Sequence, residues 1–256
     1  ASGEWAALGA FAAVTLITKG KLPWIIGLPL AALAVGAVGW ITERLTVRPL
    51  VNRGAPVLSP ILALLGMLIF YREMYSWIWG VDNLYVPMPF GFGRVEFGPF
   101  AGTSQSFFIM AMSVAVFLLT WLFFEKTIWG KAFEAVALNR TAAALMGINL
   151  KLVAGLAFTG GAVIAAFAGL LQAPITTAHF LMGLPLAIKG FTALVIGGVG
   201  RVEGALLGGL TLAIAEKLTI RYAPIPSGFA LGVPFLLLIL FLMIRPGGLL
   251  RAKGAK

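Results

Sequence analysis

Five charged side chains next to long apolar runs are the residues that could do chemistry inside a membrane: Glu4, Arg72, Glu73, Glu216 and Lys217. An ionisable group within a transmembrane segment usually marks a substrate or ion pathway, because burying its charge is costly. The alternative is a position at a helix end, from which a long charged side chain reaches water. Both interpretations stay open, and Glu4 is one candidate for a substrate pathway.

Other kinds of chemistry lack the residues that they need. The chain has no cysteine and one histidine, His179, so disulfides, thiolate sites and a histidine-based metal site are not predicted. It has no Gly-x-x-x-x-Gly-Lys-Ser/Thr loop to hold ATP phosphates, and no strand precedes Gly197–Gly200 as a dinucleotide-binding turn requires. We predict a protein that is not an enzyme, with no cofactor, no metal and no ATP site.

A second candidate for the pathway is the glycine-rich stretch of residues 190–209, in which glycines recur every four residues from Gly200. Small residues at this spacing allow helices to approach closely in lipid. Arg201 and Glu203 interrupt the run, which places the turn at an interface or in a wet cavity. Glycine-broken segments are typical of transporter pathways, and tight packing around a cytoplasmic turn is compatible with the same pattern. The predicted pathway residues here are Thr192, Gly197, Gly198 and Gly200.

The polar segment Glu125–Lys151 carries the signals of a short helix between two long apolar runs. Asn139 can cap a helix start, the alanine- and leucine-rich residues Arg140–Met146 favour helix, and Gly147 can adopt the left-handed conformation that ends it. The functional interpretation is a helix that docks on a cytoplasmic partner. The alternative is a connector that lies along the membrane surface.

The composition predicts an integral membrane protein. Of the 256 residues, 60% are hydrophobic and 11% are charged, whereas soluble domains average about 25% charged residues. The net charge of +10 does not indicate nucleic-acid binding, because the basic residues occupy short loops between apolar runs. We predict an all-α fold, a polytopic bundle of transmembrane helices that forms a single permease domain over residues 1–256.

Uncharged runs predict about seven or eight spans or half-spans, since a full span needs about 17–25 apolar residues. They cover residues 5–18, 24–40, 57–71, 103–124, 152–188 (two segments with a turn near Pro174), 190–200, 204–215 and 222–244. The aromatic residues Tyr75, Trp77 and Trp79 resemble an interfacial belt. Residues 80–102, rich in glycine and proline, predict an irregular loop or a short hairpin.

The distribution of basic residues sets the predicted orientation. Following the spans, twelve Lys and Arg residues fall on one side and six on the other, with Arg72 unplaced. The positive-inside rule then places residues 43–56, the loop of about 126–151 and the C-terminus in the cytoplasm. The sequence begins at Ala1 without a signal peptide, and we expect that a natural N-terminal segment precedes it.

Two motifs resemble those of the branched-chain amino acid ABC importer permeases. Residues Glu134–Asn149 are similar to the family's cytoplasmic coupling loop, and residues Lys189–Gly209 are similar to its glycine-rich Lys-Ala-Phe motif. Shorter similarities occur at Gly3-Glu4, at Glu43-Arg44 and over Ile244–Leu250. The Lys-Gly-Phe form of the second motif favours the H-type (LivH-like) permease, although Ser2 stands where the family usually has histidine.

The resemblance implies a permease subunit in the bacterial inner membrane, driven through alternating access by a separate ATPase. The implied partners are cytoplasmic ABC ATPase subunits, a second homologous (LivM-like) permease, a periplasmic or extracellular substrate-binding protein and the lipid bilayer, with no nucleic acid. Urea or short-chain amide importers have very similar permeases, and an ATP-independent carrier or channel is a further alternative. The implied ATPase-coupling residues are Glu134, Asn139, Arg140, Leu145, Met146 and Gly147.

Overall fold

The computed structural model describes residues 2–56, 58–87, 93–97, 100–198, 200, 202–222, 232–244 and 248. The chain divides into two compact units, Ala1–Gly183 and Leu184–Lys256. The all-α prediction is confirmed, because the described residues are almost entirely helical. The β-structure of the described residues is one short hairpin and an isolated bridge between Leu84 and Ala178, and turns and loops connect the helices.

Eight helices belong to the described part of the first unit. They are α1 (Ser2–Ala13), α2 (Trp24–Thr42), α3 (Arg48–Asn52), α4 (Leu58–Trp79), α5 (Ser104–Lys126), α6 (Ile128–Leu138), α7 (Arg140–Leu145) and α8 (Leu150–Thr176). Two π-helical segments, Val14–Lys19 and Glu43–Val47, continue α1 and α2. Strands β1 (Arg94–Phe97) and β2 (Phe100–Thr103) pair antiparallel within the segment that we predict as a loop or short hairpin.

The core of this unit forms where α1 and α2 pack against α8. Glycine makes the close approach possible. A Cβ atom added at Gly9 would lie 2.5 Å from the carbonyl oxygen of Ala166, and one at Gly39 would lie 2.8 Å from that of Phe158. Lipid does not drive helices together as water does, so close packing of small residues must supply the contact energy.

The aromatic residues predicted as an interfacial belt lie within α4 instead, because the helix continues to Trp79. Tyr75 is fully buried against Phe11, and the Trp79 indole N–H donates a hydrogen bond of 2.9 Å to the hydroxyl of Thr15. Only Trp77 among the three is largely exposed, at 88%. Two of these aromatic side chains therefore join α4 to the first helix.

The turn predicted near Pro174 lies a few residues later. Helix α8 includes Pro174 and ends at Thr176, and Thr177 has a φ of +66°. Proline removes one internal hydrogen bond from a helix, but α8 persists here as a buried helix. Residues 177–182 are not helical, and the next helix begins at Gly183.

The second unit contains α9 (Gly183–Gly197, entering from the first unit), α10 (Val202–Tyr222) and α11 (Val233–Ile244). Four helical stretches of the described residues are long and apolar enough to cross a membrane: 24–52, 58–79, 104–126 and 150–176. A fifth crossing arises if α9 and α10, whose axes differ by 115°, form one broken span. Helix α11 is a shorter apolar helix within the predicted segment 222–244, of which residues 223–231 lie outside the described residues.

Candidate coupling loop and substrate pathway

The capping signals predicted for the segment 125–151 are confirmed in the structure. The Asn139 side-chain oxygen accepts a hydrogen bond of 3.0 Å from the backbone N–H of Ala142, at the start of α7. Gly147 has a φ of +83°, and the Ile148 N–H that follows it bonds back to the carbonyl of Ala143 at 3.1 Å. These local bonds fix both ends of a helix of six residues.

Helix α7 presents an apolar surface at the tip of the loop. Leu145 and Met146 are 85% and 84% exposed, and Leu138, at the end of α6, is 87% exposed. Ala143 is the buried residue of α7. Exposed side chains of this size, held by caps on both sides, form a rigid surface suited to a protein partner.

Charged residues accompany this apolar surface. Arg140 is exposed at the start of α7, and Glu134 is exposed on α6. The Lys131 ammonium lies 3.3 Å from the Glu134 carboxylate and 3.9 Å from that of Glu125. All three members of this network are about half exposed, so its contribution to folding is small and its charges are available to a partner.

Glu4 is the predicted pathway residue with the most unusual environment. It is 1% exposed, and neither carboxylate oxygen has a hydrogen-bond partner among the described residues. A Cβ atom added at Gly183 would lie 2.5 Å from Glu4 Oε1, so the carboxylate lies flat against that glycine. The Tyr75 hydroxyl donates a hydrogen bond of 3.0 Å to the backbone carbonyl of Glu4 and not to its side chain.

Sequence reasoning left Arg72 unplaced and did not single out Gly183. Arg72 is half-buried on α4, its Nε has no partner among the described residues, and its guanidinium carbon lies 5.8 Å from the centre of the Phe180 ring. The available sequence signal was the charged pair Arg72-Glu73 within an aromatic-rich helix. In the structure Arg72 is half-buried, whereas Glu73 is exposed.

The other predicted pathway residues belong to the second unit, in and beside the contact between α9 and α10. A Cβ atom at Gly204 would lie 2.7 Å from the carbonyl oxygen of Gly197, so their backbones touch. Gly198 and Gly200 have φ values of +99° and +98°, which a side chain would strain. Thr192 is fully buried, and its hydroxyl donates a hydrogen bond of 2.9 Å to the carbonyl of Ile188.

An ion pair joins the same two helices away from the glycine contact. Lys189 Nζ lies 2.7 Å from Glu216 Oε1, and the side chains are 36% and 17% exposed. Glu216, a candidate for free charge chemistry from the sequence, is therefore paired, and Lys217 beside it is exposed.

His179 has local contacts only in the described structure. Its Nδ1 accepts a hydrogen bond of 3.2 Å from the Leu181 N–H, and its ring lies 4.6 Å from that of Phe180. The described residues contain no group of three or more His, Cys, Asp or Glu side chains that could hold a metal ion.

Comparison with known proteins adds an independent line of information. Residues 1–242 match the family described as the permease component of branched-chain amino acid transport systems. The chain is 33% identical, over 86% of its length and 72% of the relative's, to the high-affinity branched-chain amino acid transport system permease protein LivH of Salmonella typhimurium. It is 32% identical to the corresponding protein BraD of Pseudomonas aeruginosa, over 94% of this chain and 80% of BraD.

More distant similarity extends beyond amino acid transport. The chain is 27% identical to the ribose import permease protein RbsC of Escherichia coli, over 73% of this chain and 59% of RbsC. No solved structure matches this chain.

Proposed function

The chain belongs to the family of branched-chain amino acid transport system permeases, and from this premise we propose that it is the membrane-spanning subunit of an ABC importer for branched-chain, hydrophobic amino acids. Residues 1–256 act as one permease domain. The observation that carries the coupling role is the capped helix α7 with its exposed apolar tip at Leu145 and Met146.

In this proposal α7 seats in a groove of a cytoplasmic ATPase. Closure of the ATPase dimer on ATP pushes α7, and the caps at Asn139 and Gly147 transmit the push because they hold the helix ends rigidly. Glu134 and Arg140 supply polar contacts at the edge of the groove. The phosphate chemistry belongs to the ATPase, and this chain is a transport subunit.

The spans then alternate between two arrangements that open the substrate pathway to opposite sides. Where two glycines touch, as Gly197 and Gly204 do, no side chains interlock between the helices. The helices can therefore move against each other while their backbones stay in contact. A second, LivM-like permease completes the pathway, and a soluble binding protein delivers the substrate. The protein resides in the bacterial inner membrane with its C-terminus in the cytoplasm, as the excess of basic residues on one side supports.

Purification of the full-length protein from native membranes in mild detergent, with mass spectrometry of what accompanies it, tests the assembly. We expect a P-loop ATPase and a second permease. Purification of a homo-oligomer without an ATPase would contradict the proposal and would favour an ATP-independent carrier or channel.

Site-specific cross-linking tests the docking surface directly. The sequence has no cysteine, so Leu145→Cys introduces one thiol into this chain at the exposed tip of α7. A bifunctional thiol–amine reagent should join this variant to the ATPase. The control is Val81→Cys, which is 60% exposed and lies outside the candidate spans, and which should give no ATPase adduct. Equal adduct yields from the two variants would remove α7 as the docking element.

Uptake assays in liposomes separate the substrate alternatives. An importer of branched-chain amino acids accumulates labelled leucine only when ATP is supplied. Accumulation of urea or a short amide in place of leucine would assign the alternative substrate class, and leucine uptake that follows an ion gradient without ATP would indicate a carrier.

A further inference from the structure

Two ionisable side chains of the first unit, Glu4 and Arg72, have buried polar atoms without a hydrogen-bond partner among the described residues. The Glu4 carboxylate is buried and accepts no hydrogen bond from any described residue. Buried charges in proteins are normally paired or hydrogen-bonded, because removing them from water is costly. A carboxylate kept in this condition is a candidate for a ligand contact.

Arg72 is the complementary group. Its Nε is buried without a partner among the described residues, and the guanidinium lies over the Phe180 ring. No nitrogen–oxygen distance of 4.0 Å or less joins the side chains of Arg72 and Glu4. Tyr75, on the same helix as Arg72, holds the backbone of Glu4 through its hydroxyl. The fold therefore brings the Glu4 carboxylate and the Arg72 guanidinium to the same segment, residues 180–183, without an ion pair between them.

We infer that Glu4 and Arg72 together bind the charged backbone of a zwitterionic amino acid, with Glu4 contacting the ammonium group and Arg72 the carboxylate. This inference rests on the proposed function and specifies the chemistry by which the pathway recognises its substrate. The ammonium and carboxylate groups of an amino acid are attached to the same carbon atom. They can therefore pair with two opposite charges of the protein that do not pair with each other. Urea and simple amides carry neither charge and could not satisfy the pair.

One segment covers both groups in this conformation. Gly183 lies against the Glu4 carboxylate, and Phe180 lies on the Arg72 guanidinium. Hydrogen bonds of 2.9 and 2.8 Å between Leu84 and Ala178 hold the start of the same segment. The conformation is closed around the charges, and alternating access requires residues 177–183 to move before a substrate can bind.

The test uses the full-length protein assembled with its ATPase, partner permease and binding protein in liposomes, with labelled leucine as the probe. Glu4→Gln keeps the shape of the side chain and removes the charge. It should lower leucine uptake by about tenfold or more and raise the thermal stability of the complex, since a buried unpaired charge is removed. Arg72→Gln should lower uptake similarly. Glu4→Asp, which retains the charge, should keep part of the uptake.

Glu73→Gln is the matched control, because it removes an exposed carboxylate next to Arg72, and its uptake should stay within about twofold of the wild type. If the wild type shows ATP-dependent leucine uptake and Glu4→Gln shows the same rate of uptake, the inference is overturned and the proposed function is left intact. Failure of Glu4→Gln to assemble would also overturn it, since the carboxylate would then be a structural requirement. No ATP-dependent leucine uptake by the wild type would instead contradict the proposed function itself.

Discussion

The hydroxyl of Tyr75 donates a hydrogen bond of 3.0 Å to the backbone carbonyl of Glu4, and both side chains are essentially inaccessible to solvent. This bond joins α4 to the first turn of α1. It positions the helix that carries the buried carboxylate, while the carboxylate itself remains unbonded. Phe11, whose ring centre lies 5.5 Å from that of Tyr75, packs beside the same contact.

Replacing Tyr75 with phenylalanine should destabilise the assembled protein by about 1 kcal/mol, because a buried hydrogen bond is lost while the ring packing is kept. We expect a lower thermal unfolding midpoint in detergent and reduced leucine uptake. The control is Tyr222→Phe, at a side chain that is 80% exposed. Equal midpoints for the two variants would show that the Tyr75 hydroxyl does not contribute to stability.

Two neighbouring glycines of α10 should respond in opposite ways to the same substitution. A Cβ atom at Gly208 would lie 2.6 Å from the backbone nitrogen of Gly197, whereas one at Gly209 would meet nothing within 4 Å. Gly208→Ala should therefore cost about 1–3 kcal/mol through overpacking against the backbone of α9. Gly209→Ala should be neutral or stabilising by up to about 1 kcal/mol, since alanine favours helix. Protein yield and thermal midpoint measure both effects, and similar losses in the two variants would argue against this helix contact.

The ion pair between Lys189 and Glu216 should show measurable coupling in a double-mutant cycle of Lys189→Met and Glu216→Gln. At 2.7 Å, with Glu216 mostly shielded from solvent, we expect a coupling of about 1 kcal/mol or more. The control cycle uses Lys131 and Glu134, which are 3.3 Å apart and about half exposed, and should give less than about 0.5 kcal/mol. Coupling that is no larger for Lys189 and Glu216 than for the control pair would contradict this prediction.

Gly147→Val should weaken the link between substrate transport and ATP hydrolysis. The φ of +83° at Gly147 excludes a β-branched side chain without strain of about 1–2 kcal/mol, so the end of α7 should lose its geometry. The readout is ATPase activity stimulated by the loaded binding protein. Gly66→Val is the control, since nothing lies within 4 Å of a Cβ there and Gly66 has no positive φ. Full stimulation in Gly147→Val would count against α7 as the coupling helix.

Helix α7 was predictable from the sequence because its determinants are local. Asn139 bonds to a backbone group three residues away, and Gly147 adopts its own left-handed conformation. The prediction extended the helix to Met146, one residue beyond its end at Leu145. The cytoplasmic position of this loop and its docking role stay predictions.

The aromatic stretch at the end of α4 shows where sequence reasoning failed. Tyr75, Trp77 and Trp79 are chemically suited to a membrane interface, and their spacing does not distinguish a belt from a helix face. Tyr75 became a buried contact because α1 carries Phe11 and Glu4 to it. Contacts between residues about seventy positions apart depend on helix packing and have no local pattern.

The sequence by itself determined the class of the molecule, the apolar segments and the helix caps, because hydrophobic length and backbone capping depend on neighbouring residues. It also contained the glycines that α9 and α10 use for close approach. Only the tertiary structure decided that Glu216 is paired with Lys189 whereas Glu4 is buried without a partner. The physical reason is that the environment of a charge is set by what packs against it, and Gly183 and Tyr75 reach Glu4 from distant parts of the chain.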